Sequence, residues 1–260
     1  MRSKVEKIKA GLSNYKGVVV AFSGGVDSSL LLKLATQVLK ENVVAVTTVS
    51  PLHPKNEINE AKKFARSLGC KHLLIQTHEL TDPKFINNTK NRCYLCKIEL
   101  FTRIKIIAAK YDYSVIEGSN KSDLSDYRPG IRALKKLKIK SPFIESGITK
   151  EEIRILARKL HLSNLNKPSM ACLASRVPYG IKISKAILQR IGKAEIYLGR
   201  LKLSQIRVRD HLPVARIEVY PREFNIVLKN RKKIVRYFEK LGYKHTVLDL
   251  AGFQTGSLNK

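Results

Sequence analysis

In Ser23-Gly-Gly-Val-Asp-Ser-Ser29, two adjacent glycines, three hydroxyls and one carboxylate fall within seven residues. Glycines permit a tight turn and a close approach of backbone to ligand, and the free amides of a helix start suit an anion. The helix dipole adds a partial positive charge at the same point. The loop lacks the Gly-Lys-Ser/Thr end of a Walker loop and is not a Gly-x-Gly-x-x-Gly dinucleotide fingerprint. By itself it is also compatible with an ordinary helix start capped by Ser23 or Asp27. Its place between an apolar run and a helical pattern favours phosphate binding.

The cysteines are the second set. Cys93-Tyr-Leu-Cys96 is a C-x-x-C pair at the start of a helix, and Cys172 stands in Ser169-Met-Ala-Cys-Leu-Ala-Ser-Arg176. Such a pair can place two thiolates on one metal centre, and a distant third completes a three-thiolate set. A closed structural zinc site takes four ligands, which here requires a histidine such as His53 or His78. A [4Fe–4S] cluster accepts three cysteines and leaves one iron open. Two ordinary thiols plus a loop cysteine are the plain alternative. Cys70, in Leu68-Gly-Cys-Lys71, reads as a small buried hydrophobe at a helix-to-strand turn.

The elements that must position these residues alternate. Val18–Phe22, Val43–Val49, His72–Thr77 and Ser114–Glu117 read as strands, and Val26–Leu39, Glu57–Leu68 and Glu99–Lys110 as helices. Apolar strands alternating with helices predict an α/β fold, a parallel sheet sandwiched by helices. Thr149-Lys-Glu-Glu152 is a capping box that opens a helix running to about Leu160. After Lys167-Pro168 the texture changes. A helix over Ser184–Leu201, strands at Ile206/Val208 and Val214–Val219, a helix from Pro221 to about Leu241 and a strand at Thr246–Leu250 predict a small α+β domain. In the second of these strands Arg216 and Glu218 are expected to face out, alternating with apolar residues. The predicted domains are 1–178 and 179–260.

Composition bounds the function. The 260 residues are 43% hydrophobic and 27% charged, ordinary for a folded chain and inconsistent with global disorder. No run approaches the ~18 apolar residues of a membrane span, and the start lacks the apolar middle of a secretion signal. Four cysteines in this length are no disulfide framework. A cytoplasmic protein is expected. Lys and Arg number 50 against 21 Asp and Glu, a net charge of +29 spread over both predicted domains. That charge fits a solvated lysine-rich surface and a polyanionic partner equally well.

Ser23-Gly-Gly-Val-Asp-Ser28 resembles the pyrophosphate-binding loop of the N-type ATP pyrophosphatases, which adenylate an oxygen and then let a nucleophile displace AMP. The resemblance assigns the leaving pyrophosphate to Ser23, Gly24, Gly25, Val26 and Ser28, and assigns Asp27 to magnesium or the phosphate chain. Ser122-Asp-Leu-Ser-Asp-Tyr-Arg-Pro-Gly130, Lys167–Arg176, Ala215-Arg-Ile-Glu-Val219 and Asp249-Leu-Ala-Gly-Phe-Gln-Thr-Gly256 are similar to the LarE family over nearly the whole chain. That family implies ATP-dependent sulfur transfer to the carboxylates of pyridinium-3,5-biscarboxylic acid mononucleotide, a step towards the nickel-pincer cofactor.

In one version of the family the cysteine at the position of Cys172 gives up its own sulfur and becomes dehydroalanine; those members have no C-x-x-C. With Cys93 and Cys96 present, this chain is similar to the version in which three cysteines hold a [4Fe–4S] cluster. Catalytic rather than sacrificial sulfur transfer is therefore expected, with ATP, Mg²⁺, the cluster and a sulfide or other sulfur donor. The resemblance also places Asp126 and Arg128 near the nucleotide, where the alternative is an Asx-type turn with an exposed arginine. It assigns Arg176, Arg207 and Arg209 to the substrate phosphate, against the alternative of an exposed strand face. Glu195 is expected at a metal or substrate site in a homo-oligomer interface, or as a solvated helix residue. The chief rival is a tRNA 2-thiolation enzyme, which the charge favours and the lack of zinc-ribbon cysteines and of an RNA-binding module opposes. An amide ligase of the NAD- or GMP-synthetase kind would not need three cysteines, and a nucleic-acid-binding module would leave Ser23–Ser29 without purpose.

Overall fold

The four apolar strands form one parallel sheet in the computed structural model, which describes residues 2–124, 129–165, 167, 171–254, 256 and 258. Along the chain come α1 (Arg2–Ser13), β1 (Val18–Ala21), α2 (Val26–Leu39), β2 (Val43–Val49), α3 (Lys55–Ser67), β3 (Lys71–Gln76), α4 (Pro83–Ile86), α5 (Arg92–Tyr111) and β4 (Ser114–Ile116). Then follow α6 (Pro129–Lys136), α7 (Pro142–Glu145), α8 (Lys150–Lys159), α9 (Lys185–Gly199), β5 (Arg207–His211), β6 (Val214–Glu218), α10 (Phe224–Lys229), α11 (Arg231–Lys240) and β7 (His245–Leu248). The chain divides into two compact units, Met1–Glu79 with Asn91–Ser169, and Leu80–Lys90 with Met170–Lys260.

In the first unit the strand order is β3-β2-β1-β4, with Val18 opposite Val43 on one side and Ser114 on the other. Side chains alternate across a strand, so an all-apolar strand needs cover on both faces. Val18 and Val20 enter a core with Leu30, Leu31, Phe64 and Ile153, whereas Val19, Val44 and Val46 enter another with Phe101, Ile104 and Leu134. The capping box forms as expected. The Thr149 hydroxyl accepts from Glu152 N at 3.3 Å and Glu152 accepts from Thr149 N at 2.9 Å.

In the second unit β5 pairs antiparallel with β6, which pairs parallel with β7. Residues 80–90 belong here because the buried Asn88 side chain donates to the carbonyls of Pro178 and Ile181 at 2.7 and 3.0 Å. Glu218 corrects the expected alternation. It is fully buried rather than outward, because Arg209 forks onto its two carboxylate oxygens at 2.8 and 3.1 Å. The expected single helix after Pro221 is a turn followed by α10 and α11, which meet at Asn230.

Candidate functional site

Chain direction turns the sheet into a site. From β1 the chain runs outward through β2 to β3 and then crosses to β4 on the other flank of β1. Ligands of open α/β sheets bind at such a switch point, beyond the carboxyl ends of the strands. The loop after β1 is Ser23–Gly25, and the turn after β4 is Glu117-Gly118-Ser119-Asn120. Ser23 of the first and Glu117, Gly118 and Ser119 of the second line a cavity of about 300 Å³, together with Asp27, Ser28, Thr47, His53, Glu57, Lys97 and Asp123.

The loop's shape follows from its residues. Gly24 has φ +73°, a left-handed conformation that L side chains rarely adopt, and a Cβ there would lie 3.2 Å from the Ala61 methyl. Gly25 takes the N-cap position with no side-chain cap, so neither Ser23 nor Asp27 closes the helix start. Instead the Ser23 and Ser28 hydroxyls lie 3.1 Å apart, and Ser28 Oγ donates to Gly25 O at 3.1 Å. The start of α2 thus has no side-chain cap, as an anion-binding helix start requires. Asn164 braces the loop from behind, donating to Gly24 O at 3.0 Å and Ser29 Oγ at 2.7 Å.

Four residues of this site carried no motif in the sequence. Asn120 Nδ2 donates to Asp27 Oδ2 at 3.2 Å and so orients the carboxylate expected to hold magnesium. Gly118 lies against the loop, where a Cβ would come 3.1 Å from Ser28 N. Glu117 accepts from Ser119 N at 3.0 Å and Ser119 Oγ at 2.7 Å, and its Oε2 is 3.9 Å from Lys97 Nζ. Lys97 is the one lysine lining the cavity among the described residues, and the carboxylate residues Asp27, Glu57, Glu117 and Asp123 line it as well. The signals available were the Glu-Gly-Ser-Asn turn directly after a buried strand and a lysine directly after the C-x-x-C pair.

Cys93 and Cys96 are the second and fifth residues of α5, which begins at Arg92, seven residues before the expected start. Cys93 is exposed, and the half-buried Cys96 has its sulfur 3.9 Å from Glu79 Oε1. The buried Glu79 also accepts from Ser50 Oγ at 2.9 Å. Burial holds the His53 imidazole below its ordinary pKa, with the Glu79 charge opposing. His78 places its backbone N–H on Glu99 at 3.1 Å. Cys70 packs against the core, and its burial pushes the thiol up. All four cysteines are thiols rather than disulfide halves. Among the described residues no group of three or more His, Cys, Asp or Glu side chains is gathered as a metal site.

Cys172 belongs to the second unit, where it precedes a single helical turn, Leu173–Arg176. Arg176 is completely buried and forks onto Glu195 at 2.8 and 2.9 Å. Its remaining nitrogen, Nη1, donates to Ala171 O at 2.6 Å, Cys172 O at 3.0 Å and Ser175 Oγ at 3.0 Å. The turn that carries the cysteine is therefore held by one guanidinium. Glu195 also accepts from Val208 N at 3.0 Å, which ties α9 to β5. Arg207 and Arg209 are both buried, so the alternative of an exposed strand face does not hold. Burial lowers the Arg207 pKa to about 10, helped by the charge of Arg176 and, less strongly, of Arg209. Arg176, Arg207 and Arg209 thus lie buried in one unit with the carboxylates of Glu195 and Glu218. Asp126 and Arg128 lie outside the described residues, as do Pro168, Ser169 and Met170 of the Cys172 motif.

A parallel sheet with a Ser-Gly-Gly-x-Asp-Ser loop at its switch point defines an α/β PP-loop domain of the N-type ATP pyrophosphatase class, and residues 1–125 match the NAD synthase family. The NH(3)-dependent NAD(+) synthetase of Campylobacter jejuni is 33% identical over 125 residues, 46% of this chain and 49% of its own. Full-length similarity lies elsewhere. The pyridinium-3,5-bisthiocarboxylic acid mononucleotide synthase of Lactiplantibacillus plantarum is 34% identical over 261 residues, covering 100% of this chain and 95% of its own. The uncharacterized protein slr1717 of Synechocystis is 41% identical over 263 residues, covering 100% and 98%. The chain belongs to the LarE family of ATP-dependent sulfurtransferases. Among the described residues no helix is long and apolar enough to cross a membrane.

Proposed function

We propose that this enzyme adenylates a carboxylate of pyridinium-3,5-biscarboxylic acid mononucleotide and replaces its oxygen with sulfur, for nickel-pincer cofactor synthesis in the cytoplasm. The observation that carries the reading is the Ser23–Ser28 loop lining a cavity at the sheet's switch point, in a chain similar to the named synthase from end to end. Substrate carboxylate oxygen attacks the α-phosphorus of ATP and pyrophosphate leaves. The amides at the start of α2 and the hydroxyls of Ser23 and Ser28 would receive the charge that develops on the leaving group. Asp27, oriented by Asn120, would hold Mg²⁺, and Lys97, which lines the same cavity, would meet the phosphate chain. A sulfur nucleophile then attacks the acyl carbon and AMP departs, leaving a thiocarboxylate.

Cys93, Cys96 and Cys172 are the cluster ligands in this reading, and three thiols suit a [4Fe–4S] group. When bound, the cluster would supply an iron open to the transferred sulfur. Arg176, Arg207 and Arg209, all buried, are the arginines proposed for the substrate phosphate. Glu195 would act by holding Arg176 rather than by taking a metal. A homo-oligomer fits the family.

Anaerobic purification followed by iron, sulfide and zinc analysis tests the sulfur half of the proposal. About four iron and four or more sulfide per chain are expected, lost on Cys93→Ala, Cys96→Ala or Cys172→Ala. One zinc without sulfide would make the cysteines structural. Dehydroalanine at position 172 after turnover, read by mass spectrometry, would make the cysteine a sacrificial donor. Pyrophosphate release that depends on the mononucleotide tests the adenylation half independently.

A further inference from the structure

We propose that the exposed ridge formed by α6 and the adjoining part of α5 binds a single-stranded RNA through its phosphate backbone. Between residues 129 and 144 the sequence has five cations, Arg132, Lys135, Lys136, Lys138 and Lys140, and no Asp or Glu. All five are exposed. In α6, Arg132, Lys135 and Lys136 are spaced i, i+3 and i+4, so they share one helix face. A sixth cation joins from α5, where Lys105 Nζ donates to Leu137 O at 3.3 Å. Arg132 lies over the Tyr94 ring at 5.5 Å, which adds an aromatic plane beside the charge.

The ridge begins at the cavity. A Cβ on Gly130 would come 2.8 Å from Lys97 Cδ, so the first turn of α6 abuts the lysine that lines the adenylation site. From there the cations continue to Lys138. The chemistry points to phosphate rather than to a protein surface. Protein interfaces are depleted in lysine and need apolar anchors at their centre, whereas a lysine-rich strip without acids matches a uniform polyanion. The remaining excess of the +29 chain would steer the same ligand over longer range. This inference rests on surface charge and does not depend on the sulfur-transfer reading.

The test uses the full chain and a fluorescein-labelled oligouridylate of about 20 nucleotides, with binding read by anisotropy between about 50 and 200 mM salt. The ridge variant carries Arg132→Ala, Lys135→Ala, Lys136→Ala and Lys138→Ala. A control removes equal charge from α11 through Lys232→Ala, Lys233→Ala, Arg236→Ala and Lys240→Ala. Saturable binding is expected, with the ridge variant weakened at least about tenfold. Its salt slope should fall by about 3, at ~0.7 for each phosphate that is no longer neutralised. The control should be weakened less than half as much. Thermal unfolding checks the fold of both variants, and Lys135→Glu with Lys136→Glu replaces the fourfold variant if that one unfolds. No saturable binding, or equal weakening in ridge and control, overturns the proposal. So does equally tight, equally ridge-dependent binding of polyglutamate of matched charge, which would mark an acidic-protein surface.

Discussion

Arg176 has no polar atom left for solvent, and that isolation defines its work. Its guanidinium joins the carboxylate of Glu195 to two carbonyls and a hydroxyl of the Cys172 turn. Removing one partner of a buried pair leaves the other charge uncompensated, at a cost of about 3–5 kcal/mol. Arg176→Ala should therefore lower unfolding stability by that order in denaturant titration. Arg176→Lys retains the charge but has no planar fork. It is expected to cost less stability and still loosen the turn, read as faster alkylation of Cys172 by iodoacetamide than in the parent chain. Unchanged alkylation would show that the turn holds itself.

At the scale of elements, the site depends on how closely the turn after β4 approaches the start of α2. Gly118 stands against backbone atoms of Asp27 and Ser28, at 3.1 to 3.2 Å from where a Cβ would fall. Backbone cannot give way as a flexible side chain can. Gly118→Ala should move the phosphate loop and weaken ATP binding by roughly tenfold, about 1.4 kcal/mol, with little change in melting temperature. Thr149→Ala is the converse case. It removes the side-chain acceptor of the α8 cap and should cost about 1 kcal/mol of stability while ATP affinity stays unchanged. Calorimetric ATP binding beside thermal melting separates the two effects.

Over the whole molecule, imidazoles whose pKa the fold depresses set the response to acid. Burial lowers the pKa of His53, of His72 and of His211, with Lys62 adding to His72 and Arg216 to His211. A histidine with a depressed folded pKa binds its proton more readily when unfolded. Stability therefore falls as pH drops below the ordinary value of about 6.5, until the folded pKa is passed. Between pH 7 and 5 the denaturant midpoint should decline. His72 illustrates the cause: its Nε2 meets Thr47 Oγ1 at 2.8 Å, and that hydroxyl donates to Phe22 O at 2.6 Å, at the root of the phosphate loop. His72→Gln should flatten part of the decline, and an unchanged slope would assign it to other groups.

Local pattern was enough for the strands, for the helices between them, for the α8 cap and for the loop whose residue types suit phosphate. These follow from side-chain periodicity and from backbone chemistry that neighbours in sequence decide. Four motifs along the chain carried the family. Two helices of eight residues or more escaped, α1 and α6, although Val5, Ile8 and Leu12 mark a helical stripe in α1. Tertiary structure decided what depends on partners distant in sequence. Glu218 sits on a strand whose alternation points it outward, and it is buried because Arg209 meets it across the β5–β6 pair. Gly118, Asn120 and Lys97 look ordinary in sequence and gain their roles only where β4 and α5 bring them to the β1 loop. A residue's type and spacing state what it can do; which charge, backbone atom or cavity it meets is set only when the chain closes on itself.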